Sequence, residues 1–490
     1  MVRVELMRAL QCAAALSALA IAADCGAADD AAPSRPNIVV FITDDQGQPE
    51  CAPFGSRDFP TPNMQRLADA GLAFTRAYVA SPTCAPSRGA LLTGLMPARN
   101  GAEPNHSRPR SALKKWPAWF KELGYKVVAF GKVAHYGQAA DYGFDQFAYD
   151  GFHEDVCVQA AVDFLQKRSA DDRQPLCLMV GTNWPHVPWP EASDGLDPAR
   201  LSLPAGSIDT PLTRQWRARF GAAVGKADDD LGRIYDTARS VLGDQTLFLF
   251  SSDNGTQWPF AKWNCYEAGI RVPLIVAWPG VVKPGTRTDA MVSWVDILPT
   301  LVEAAGGSAP GGLDGRSFLP VLKSRSADHR DRIFATHSGD GRWNIYPIRS
   351  VRDDRWKFIR NLHPEYAFTT HIDLPGVLGQ RTFFSTWEAA AGKDDKAAAI
   401  VRRYHARPAE ELYDLHNDPD EQHNLAGDPA CADQLKRLRD ELDAWMREQG
   451  DRQKVFAEPR LLSDERSFGP DAPSGAPQRE GKTQPKKKPQ

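Results

Sequence analysis

The chain has 490 residues, of which 42% are hydrophobic and 25% are charged. This length and composition predict a globular protein with a large buried core and two to three domains. The formal net charge of −3 argues against a nucleic-acid-binding protein, because neutralising phosphates requires a basic surface.

The amino terminus has the composition of an export signal. Two arginines precede a short apolar run over residues 12–23, which ends in small residues. The pattern predicts a signal peptide over residues 1–28 and a mature protein that is exported, either to the periplasm or as a secreted protein. Lipoprotein anchoring at Cys25 is disfavoured because Asp24 precedes it. No later segment is long and apolar enough to predict a membrane span.

Continuous apolar runs alternate with helical patterns along the next part of the chain. Such runs suit strands that are covered on both faces, as in a parallel sheet. They occupy residues 37–43, 126–130, 176–180, 246–250 and 273–278. Helical patterns, each followed or ended by glycine, occupy residues 62–70, 116–123 and 213–242. The alternation predicts an α/β sandwich with a mostly parallel central sheet.

The pattern changes near residue 331. Short β-like segments are followed by one amphipathic helix, and they lie at residues 348–351, 356–361, 411–415 and 432–449. They predict a smaller C-terminal α+β domain. We therefore expect a main domain over 33–330, a C-terminal α+β subdomain over 331–460 and a disordered tail over 461–490, which is rich in proline, glycine and charge.

Acidic and amide side chains follow two of the predicted strands. Asp44 and Asp45 come directly after the first strand, and Asp253 and Asn254 follow the fourth. Ligands of parallel α/β sheets bind beyond the carboxyl ends of the strands. Oxygen ligands without imidazole suit Ca²⁺ or Mg²⁺. Each pair alone is also common in turns and helix caps, so it is their combination with the next motif that indicates a site.

Cys84 and Arg88 stand in the segment Cys-Ala-Pro-Ser-Arg. The Pro-Ser pair predicts a helix that begins near Cys84, where free backbone N–H groups favour anions. Arg88 lies one helical turn later on the same face and can hold negative charge. The alternative is structural, since a buried cysteine is also a small apolar side chain and an arginine is often on a solvated helix face.

This segment resembles the C-x-P-S-R signature of the type I sulfatases, in which the cysteine is oxidised after translation to Cα-formylglycine. Other elements of that family are similar to stretches of this chain in the same order. They are Gly-Lys with a following histidine at 131–135, Pro-His-x-Pro at 185–188, Asp-Asn-Gly with a later lysine at 253–262, and Glu-Leu-Tyr-Asp-Leu at 411–415. The resemblance covers nearly the whole mature chain. It implies an alkaline-phosphatase-like sandwich, with 33–330 as the catalytic domain, and a sulfuric ester hydrolase or sulfamidase.

The resemblance also implies a metal site and a modified residue. Asp44, Asp45, Asp253 and Asn254, together with the formylglycine at Cys84, would bind Ca²⁺, with Mg²⁺ as the alternative. The metal would polarise the sulfuryl oxygens. Oxidation of Cys84 implies a formylglycine-generating enzyme as a maturation partner.

The remaining matched residues are cations and histidines. Arg88, Lys132 and Lys262 would neutralise charge on the transferring sulfate group. His186 would protonate the leaving atom. His135 would act as the base that regenerates the aldehyde and releases sulfate.

The substrate is suggested by segments in the second half of the chain. Residues 346–352 and 356–362, and the Asp-Asn-Gly motif, look like those of the heparan N-sulfatases (N-sulfoglucosamine sulfohydrolases). The implied reaction removes N-sulfate from terminal N-sulfoglucosamine of heparan sulfate or heparin. The spacing of Lys132 and His135 looks more like that of iduronate-2-sulfatases, so an exo-O-sulfatase acting on uronic acid or hexosamine is the alternative. A phosphodiesterase of the alkaline phosphatase superfamily would share the same fold and metal-binding face.

Cationic side chains are the groups expected to contact a sulfated glycan, because the glycan is negatively charged. By position in the chain, His106, His337 and Arg342 are candidates for this contact. We expect no nucleic-acid partner, and the sequence leaves the oligomeric state open.

The number of cysteines limits how many disulfides the chain can form. The chain has eight, of which Cys12 and Cys25 lie in the predicted leader and Cys84 in the modified motif. Five remain, so in an oxidising compartment we expect at least one free thiol and at most two disulfides.

Overall fold

The structure is a computed structural model of the chain. It describes residues 35–151, 156–169, 171–308, 310–375 and 382–473. The predicted signal peptide, with Cys12 and Cys25, lies outside the described residues. From Pro36 onward the chain clusters as one compact unit, so the boundary predicted near residue 330 stays a prediction.

Strands occur in three separate sheets. In chain order, those within the described residues are β1 (Asn37–Thr43), β2 (Leu72–Phe74), β3 (Ala77–Tyr78), β4 (Lys126–Gly131), β5 (Gln146–Ala148), β6 (Leu176–Gly181), β7 (Thr246–Ser252), β8 (Leu274–Ala277), β9 (Thr286–Thr288), β10 (Val292–Ser293), β11 (Ile333–His337), β12 (Ile348–Arg352), β13 (Trp356–Asn361) and β14 (Glu410–Asp414).

The central sheet has eight strands in the order β5-β4-β6-β1-β7-β8-β2-β9. Its pairs are parallel except that β8 runs antiparallel to both β7 and β2. Four of the five predicted runs lie side by side at its centre as β4, β6, β1 and β7. The sheet therefore confirms the predicted mostly parallel α/β architecture.

Helices connect the strands and cover the sheet. The α-helices within the described residues are Pro62–Asp69, Cys84–Thr93, Pro97–Asn100, Trp116–Glu122, Val156–Gln166, Pro211–Leu242, Glu267–Ile270, Ile297–Ala304, Leu319–Leu322, Phe384–Ala391, Asp395–His405 and Ala432–Gln449. The longest begins two residues before its predicted start. The Thr210 side chain accepts a hydrogen bond from the Thr213 N–H, and Pro211 takes the first helical position, where no N–H is needed.

The buried core lies on both faces of the central sheet. Side chains of a strand alternate between its two faces. Val39 and Phe41 of β1 pack in one cluster with residues of the helices Pro62–Asp69, Val156–Gln166 and Pro211–Leu242. Ile38, Val40 and Ile42 pack in a second cluster with residues of the helices Cys84–Thr93, Trp116–Glu122 and Ile297–Ala304. The result is a three-layer sandwich.

The C-terminal part contains an antiparallel sheet in the order β11-β12-β13-β14. The helix Ala432–Gln449 packs on it through Leu438, Leu442 and Met446, which form a cluster with Val351 and Phe358. This arrangement confirms the smaller α+β element predicted for this part of the chain.

The prediction of disorder is wrong for residues 461–473. The Leu462 N–H donates to the Glu365 carbonyl at 3.0 Å, and Tyr366 forms an isolated antiparallel bridge with Leu461. The Phe468 ring stacks on His405 at 4.5 Å. Backbone pairing with the segment near residue 366 thus orders a stretch whose composition alone indicated disorder. The rest of the predicted tail, residues 474–490, lies outside the described residues.

Among the described residues, no helix has both the length and the apolar character that crossing a bilayer requires. The cysteines of this part of the chain form no disulfide, and they are Cys51, Cys84, Cys157, Cys177, Cys265 and Cys431.

Candidate active site

The carboxyl ends of β1 and β7 bring four polar residues together. These strands are neighbours and run parallel, so the residues that follow them lie at one edge of the sheet. The Asp45 N–H donates to Asp253 Oδ1 at 3.0 Å, and the Asn254 amide donates to Asp45 Oδ1 at 2.8 Å. Asp44 is buried with them. Asp45 has a φ of 68°, a left-handed conformation that is uncommon for a non-glycine residue and is found at functional sites.

Cys84 is the first residue of the helix Cys84–Thr93 and points into this acidic group. Its Sγ lies 3.6 Å from Asp44 Oδ1 and 3.8 Å from Asp45 Oδ1. Burial raises the pKa of the Cys84 thiol well above its usual value. Because the thiolate is the nucleophilic form of cysteine, the unmodified side chain is a poor nucleophile in this position.

Arg88 lies on the same helix, one turn after Cys84, and pairs with the carboxylates. Its Nε donates to Asp253 Oδ2 at 2.8 Å, and a terminal nitrogen lies 3.4 Å from Asp44 Oδ1. Another guanidinium nitrogen donates to the Lys132 carbonyl. Burial raises the pKa of Asp253 to about 7 although Arg88 opposes this shift.

Two lysines complete the charge balance. Lys132 donates to Asp44 and its Nζ lies 3.7 Å from Cys84 Sγ. The Lys262 Nζ donates to Asp45 Oδ2 at 2.6 Å. Burial alone would raise the pKa of Asp44, but the positive charge of Lys132 and its neighbours outweighs burial and holds this pKa well below its usual value. Three buried carboxylates thus face three buried cations.

The same residues fit a divalent cation. Ligand atoms of Asp44, Asp45, Cys84 and Asp253 all lie within 4.8 Å of one another. The Asn254 Oδ1 is buried and has no hydrogen-bond partner, which leaves an oxygen free to act as a further ligand. Carboxylate and amide oxygens are what Ca²⁺ and Mg²⁺ prefer. The donor set, apart from the sulfur, therefore suits a hard cation.

His186 lies beside this cluster. Its Nδ1 donates to the Val187 carbonyl at 2.6 Å, and its Nε2 lies 3.5 Å from Asp45 Oδ2. Burial, together with the charge of Lys262, lowers the pKa of His186 well below its usual value. The neutral ring then has its Nε2 directed at the acidic group.

His135 belongs to a chain of polar contacts. Its Nε2 lies 2.7 Å from His106 Nδ1, and His106 Nε2 lies 3.0 Å from Asp340 Oδ1. The other oxygen of Asp340 accepts hydrogen bonds from Asn105 at 3.1 Å and from the Trp263 indole at 2.7 Å. Burial lowers the pKa of His135 to about 2, so its ring is neutral. Both ring nitrogens of His106 are engaged, and we therefore expect this residue to orient His135.

A cavity of about 370 Å³ gives access to the cluster. Of the residues predicted from the sequence, five line it: Cys84, His106, His135, His186 and Lys262. The sequence did not point to other lining residues, among them Asn105, Tyr136, Trp189, Trp216, Arg219, Gln257, Trp263, Asp340 and His371. Asn105, Tyr136 and Trp263 could have been indicated by the sequence, because each is adjacent in the chain to a predicted site residue. Nothing in the residue type of Asp340, His371 or Arg219 marked it in the sequence.

The structure places two predicted substrate contacts away from the cavity. His337 is fully buried, its Nε2 bonded to Asn344 Oδ1 at 2.6 Å, and burial lowers its pKa to about 4. Arg342 lines a different cavity together with residues of the segment 457–473. Position in the chain was a poor guide here because β11 carries His337 into the core while the following loop turns Arg342 outward.

Comparison with known proteins assigns the family. A family model described as Sulfatase matches residues 36–308, and one described as N-sulphoglucosamine sulphohydrolase, C-terminal, matches residues 255–374. The first match covers more than half of the chain. This chain therefore belongs to the sulfatase family, which consists of hydrolases acting on sulfate esters.

Individual relatives agree with this assignment. An ulvan-active sulfatase of Formosa agariphila is 31% identical, over 85% of this chain and 81% of its own length. Human N-sulphoglucosamine sulphohydrolase is 30% identical, over 85% of this chain and 91% of its own length. The solved structure of BT4656 in complex with its substrate D-glucosamine-2-N,6-O-disulfate superimposes with a TM-score of 0.65 at 20% identity, covering 86% of this chain and 100% of that one. These matches confirm the predicted sulfatase fold.

Proposed function

We propose that this chain is a formylglycine-dependent sulfatase that releases N-sulfate from terminal N-sulfoglucosamine of heparan sulfate or heparin. One observation carries the choice of substrate. The segment 255–374, which matches the C-terminal model of N-sulphoglucosamine sulphohydrolase, contributes Lys262, Trp263, Asp340 and His371 to the wall of the cavity that contains Cys84.

The nucleophile in this proposal comes from Cys84. The buried thiol has a raised pKa, and its sulfur is the one soft atom among hard oxygen donors. Oxidation to formylglycine by a formylglycine-generating enzyme removes both difficulties, because the hydrated aldehyde supplies a hydroxyl nucleophile and an oxygen donor. Lys132, 3.7 Å from the sulfur, is placed to hold negative charge on that oxygen.

The cation in this proposal is Ca²⁺, with Mg²⁺ as the alternative. Asp44, Asp45, Asp253 and Asn254 would hold it, and when bound it supplies positive charge that polarises the sulfuryl oxygens. Arg88 contacts two of these carboxylates, so it keeps them in place and offsets their mutual repulsion.

The histidines would handle protons. In N-sulfate hydrolysis the S–N bond breaks and the leaving nitrogen takes up a proton. His186 is the proposed donor: its Nδ1–H is held by the Val187 carbonyl, and its Nε2 first takes the proton that the attacking hydroxyl of the aldehyde hydrate loses and then passes it to the leaving nitrogen. His135 is the proposed base for release of sulfate, held by His106 through the 2.7 Å contact.

The test is expression together with a formylglycine-generating enzyme, followed by peptide mass spectrometry across Cys84 and an assay of sulfate release. We expect an aldehyde mass and release of sulfate from N-sulfoglucosamine in preference to glucosamine 6-sulfate. An unmodified thiol in this coexpressed sample would contradict the proposal that formylglycine at Cys84 is the nucleophile. An aldehyde at Cys84 without release of sulfate from N-sulfoglucosamine would contradict the proposed substrate specificity.

A second candidate function is removal of O-sulfate from a polysaccharide. The 31% identity to an ulvan-active sulfatase over 85% of this chain favours it, as does the spacing of Lys132 and His135. Release of sulfate from ulvan oligosaccharides, without release from N-sulfoglucosamine, would select it. Turnover of phosphate diesters above that of sulfate esters would instead select the phosphodiesterase alternative. For either sulfatase we propose export of the mature protein, which cell fractionation would test.

A further inference from the structure

One wall of the active-site cavity takes no part in the proposed mechanism. It contains Trp189, Trp216, Arg219 and Gln257. Trp216 and Arg219 stand three residues apart on the helix Pro211–Leu242 and therefore share one face of it. The rings of Trp189 and Trp216 meet edge to face at 5.7 Å. The wall thus combines aromatic surface with two polar side chains.

Arg219 has no charge partner among the residues that the structure describes. Its Nε is buried without a hydrogen-bond partner, and no carboxylate lies within 4 Å of its guanidinium. Arg217, two positions earlier, differs because it lies 3.4 Å from Glu50. Lys262 differs as well because it donates to Asp45. Within the described part of the lining, Arg219 is the cation that remains uncommitted.

Gln257 offers a second unsatisfied group on the same wall. Its side chain is 3% exposed, and its Oε1 is buried without a hydrogen-bond partner. A buried polar atom without a partner is costly, and sites with such atoms often receive a ligand or water. Gln257 lines the cavity together with Trp189, and the residue that follows it, Trp258, stacks its ring on Trp189 at 6.2 Å.

We propose that Arg219 binds a second anionic group of the substrate, a sulfate or carboxylate other than the sulfate that reacts, while Gln257 Oε1 accepts a hydrogen bond from a sugar hydroxyl. This inference rests on the proposed function. The reacting group is served by Arg88, Lys132 and Lys262, which are bound to the acidic cluster. Arg219 contacts none of the charged residues of that cluster within the described structure, and its planar guanidinium can bind a sulfate or carboxylate by two hydrogen bonds.

The test compares binding of sugars that differ by one anionic group. The protein carries Cys84→Ala, which prevents turnover, with or without Arg219→Gln. The three probes are glucosamine-2-N-sulfate, glucosamine-2-N,6-O-disulfate, and a disaccharide that links N-sulfoglucosamine to a uronic acid. Isothermal titration calorimetry supplies each Kd. Arg342→Gln is the matched control, because it removes the same charge from a side chain that lines a different cavity.

We expect one doubly anionic probe to bind at least about tenfold more tightly than glucosamine-2-N-sulfate, the size of one charge-assisted interaction. Arg219→Gln should remove most of this preference, and Arg342→Gln should leave it intact. The probe that benefits identifies the anion as sulfate or carboxylate. Equal binding of all three probes, or an equal loss for all three in Arg219→Gln, would overturn the binding of a second anion by Arg219 while sulfate release by the active enzyme still supported the proposed function. If no probe binds and the active enzyme releases no N-sulfate, both proposals are overturned.

Discussion

The buried charge balance around Cys84 can be tested directly through Arg88. This side chain is fully buried, its Nε lies 2.8 Å from Asp253, and it also contacts Asp44. Arg88→Met keeps an apolar stem but leaves three buried carboxylates facing two ammonium groups. Removing one partner of a buried ion pair is expected to cost about 3–5 kcal/mol, because the charge left behind has neither solvent nor counter-ion.

A matched control separates burial from the loss of an arginine. Arg66 pairs with Asp236 at 2.7 Å, but the two side chains are 48% and 59% exposed. Arg66→Met is therefore expected to cost less than about 1 kcal/mol. Urea unfolding followed by circular dichroism gives the midpoint of each variant. An unchanged m-value shows that the variants expose the same surface area on unfolding as wild type does. If Arg88→Met unfolds within about 1 kcal/mol of wild type, the carboxylates do not depend on Arg88 in the way we infer.

The loss in Arg88→Met should also depend on pH. Burial already raises the pKa of Asp253 to about 7 against the opposing charge of Arg88, so removing Arg88 raises this pKa further. A carboxyl whose folded-state pKa is raised destabilises the protein above that pKa, and the effect is relieved as the pH falls. We therefore expect a larger loss at pH 8 than at pH 6. Added Ca²⁺ should reduce the loss at pH 8, since the cation supplies the missing charge.

Three further predictions concern other residues. Cys84→Ser is expected to abolish sulfate release with a nearly unchanged unfolding midpoint, because serine lacks the second hydroxyl of an aldehyde hydrate; turnover by a pure sample would refute the formylglycine mechanism. Asp340→Asn places an amide donor opposite His106 Nε2, so turnover should fall by at least about tenfold and its pH profile should shift, whereas an unshifted profile would show a purely structural role. His405 is buried, which lowers its pKa to about 4. Below about pH 6.5 the unfolded chain therefore binds a proton at this residue that the folded chain does not yet bind. As the pH falls further, this group lowers the free energy of unfolding by up to about 1.4 kcal/mol per pH unit. His405→Gln should weaken this slope in urea unfolding at pH 7 and pH 5, and equal slopes would contradict the assignment.

The central sheet was predictable because its middle strands carry a strong local signal. Strands β1, β4, β6 and β7 are continuous apolar runs buried on both faces, and the observed ends differ from the predicted ones by at most two residues. The direction of β8 was not predictable. An apolar run looks the same whichever way it enters a sheet, and the antiparallel pairing of β8 with β7 depends on the path of residues 253–273 that connect the two strands.

The meeting of the acidic residues followed from topology. Parallel neighbouring strands present their carboxyl ends at one edge of the sheet. Asp45 therefore meets Asp253, 208 residues further along the chain, as the hydrogen bond from the Asp45 N–H to Asp253 shows. Cys84 and Arg88 are one helical turn apart, and that helix begins against the same edge. These placements depend on local pattern and sheet order, which are the features that a sequence displays.

The other residues that line the cavity were brought there by features that a sequence does not display. Asp340 and His371 stand outside regular strands and helices, and only their tertiary contacts bring them to the cavity. Arg219 is one of several arginines on a long helix, and what sets it apart from Arg217 is the absence of a charge partner within the described structure. We therefore propose that sulfate transfer takes place at the edge of the sheet and that the choice of sugar depends on these loops and on one face of the helix Pro211–Leu242. Substitutions at Asp340, His371 or Arg219 should accordingly alter the preference among sulfated sugars more than they alter the maturation of Cys84.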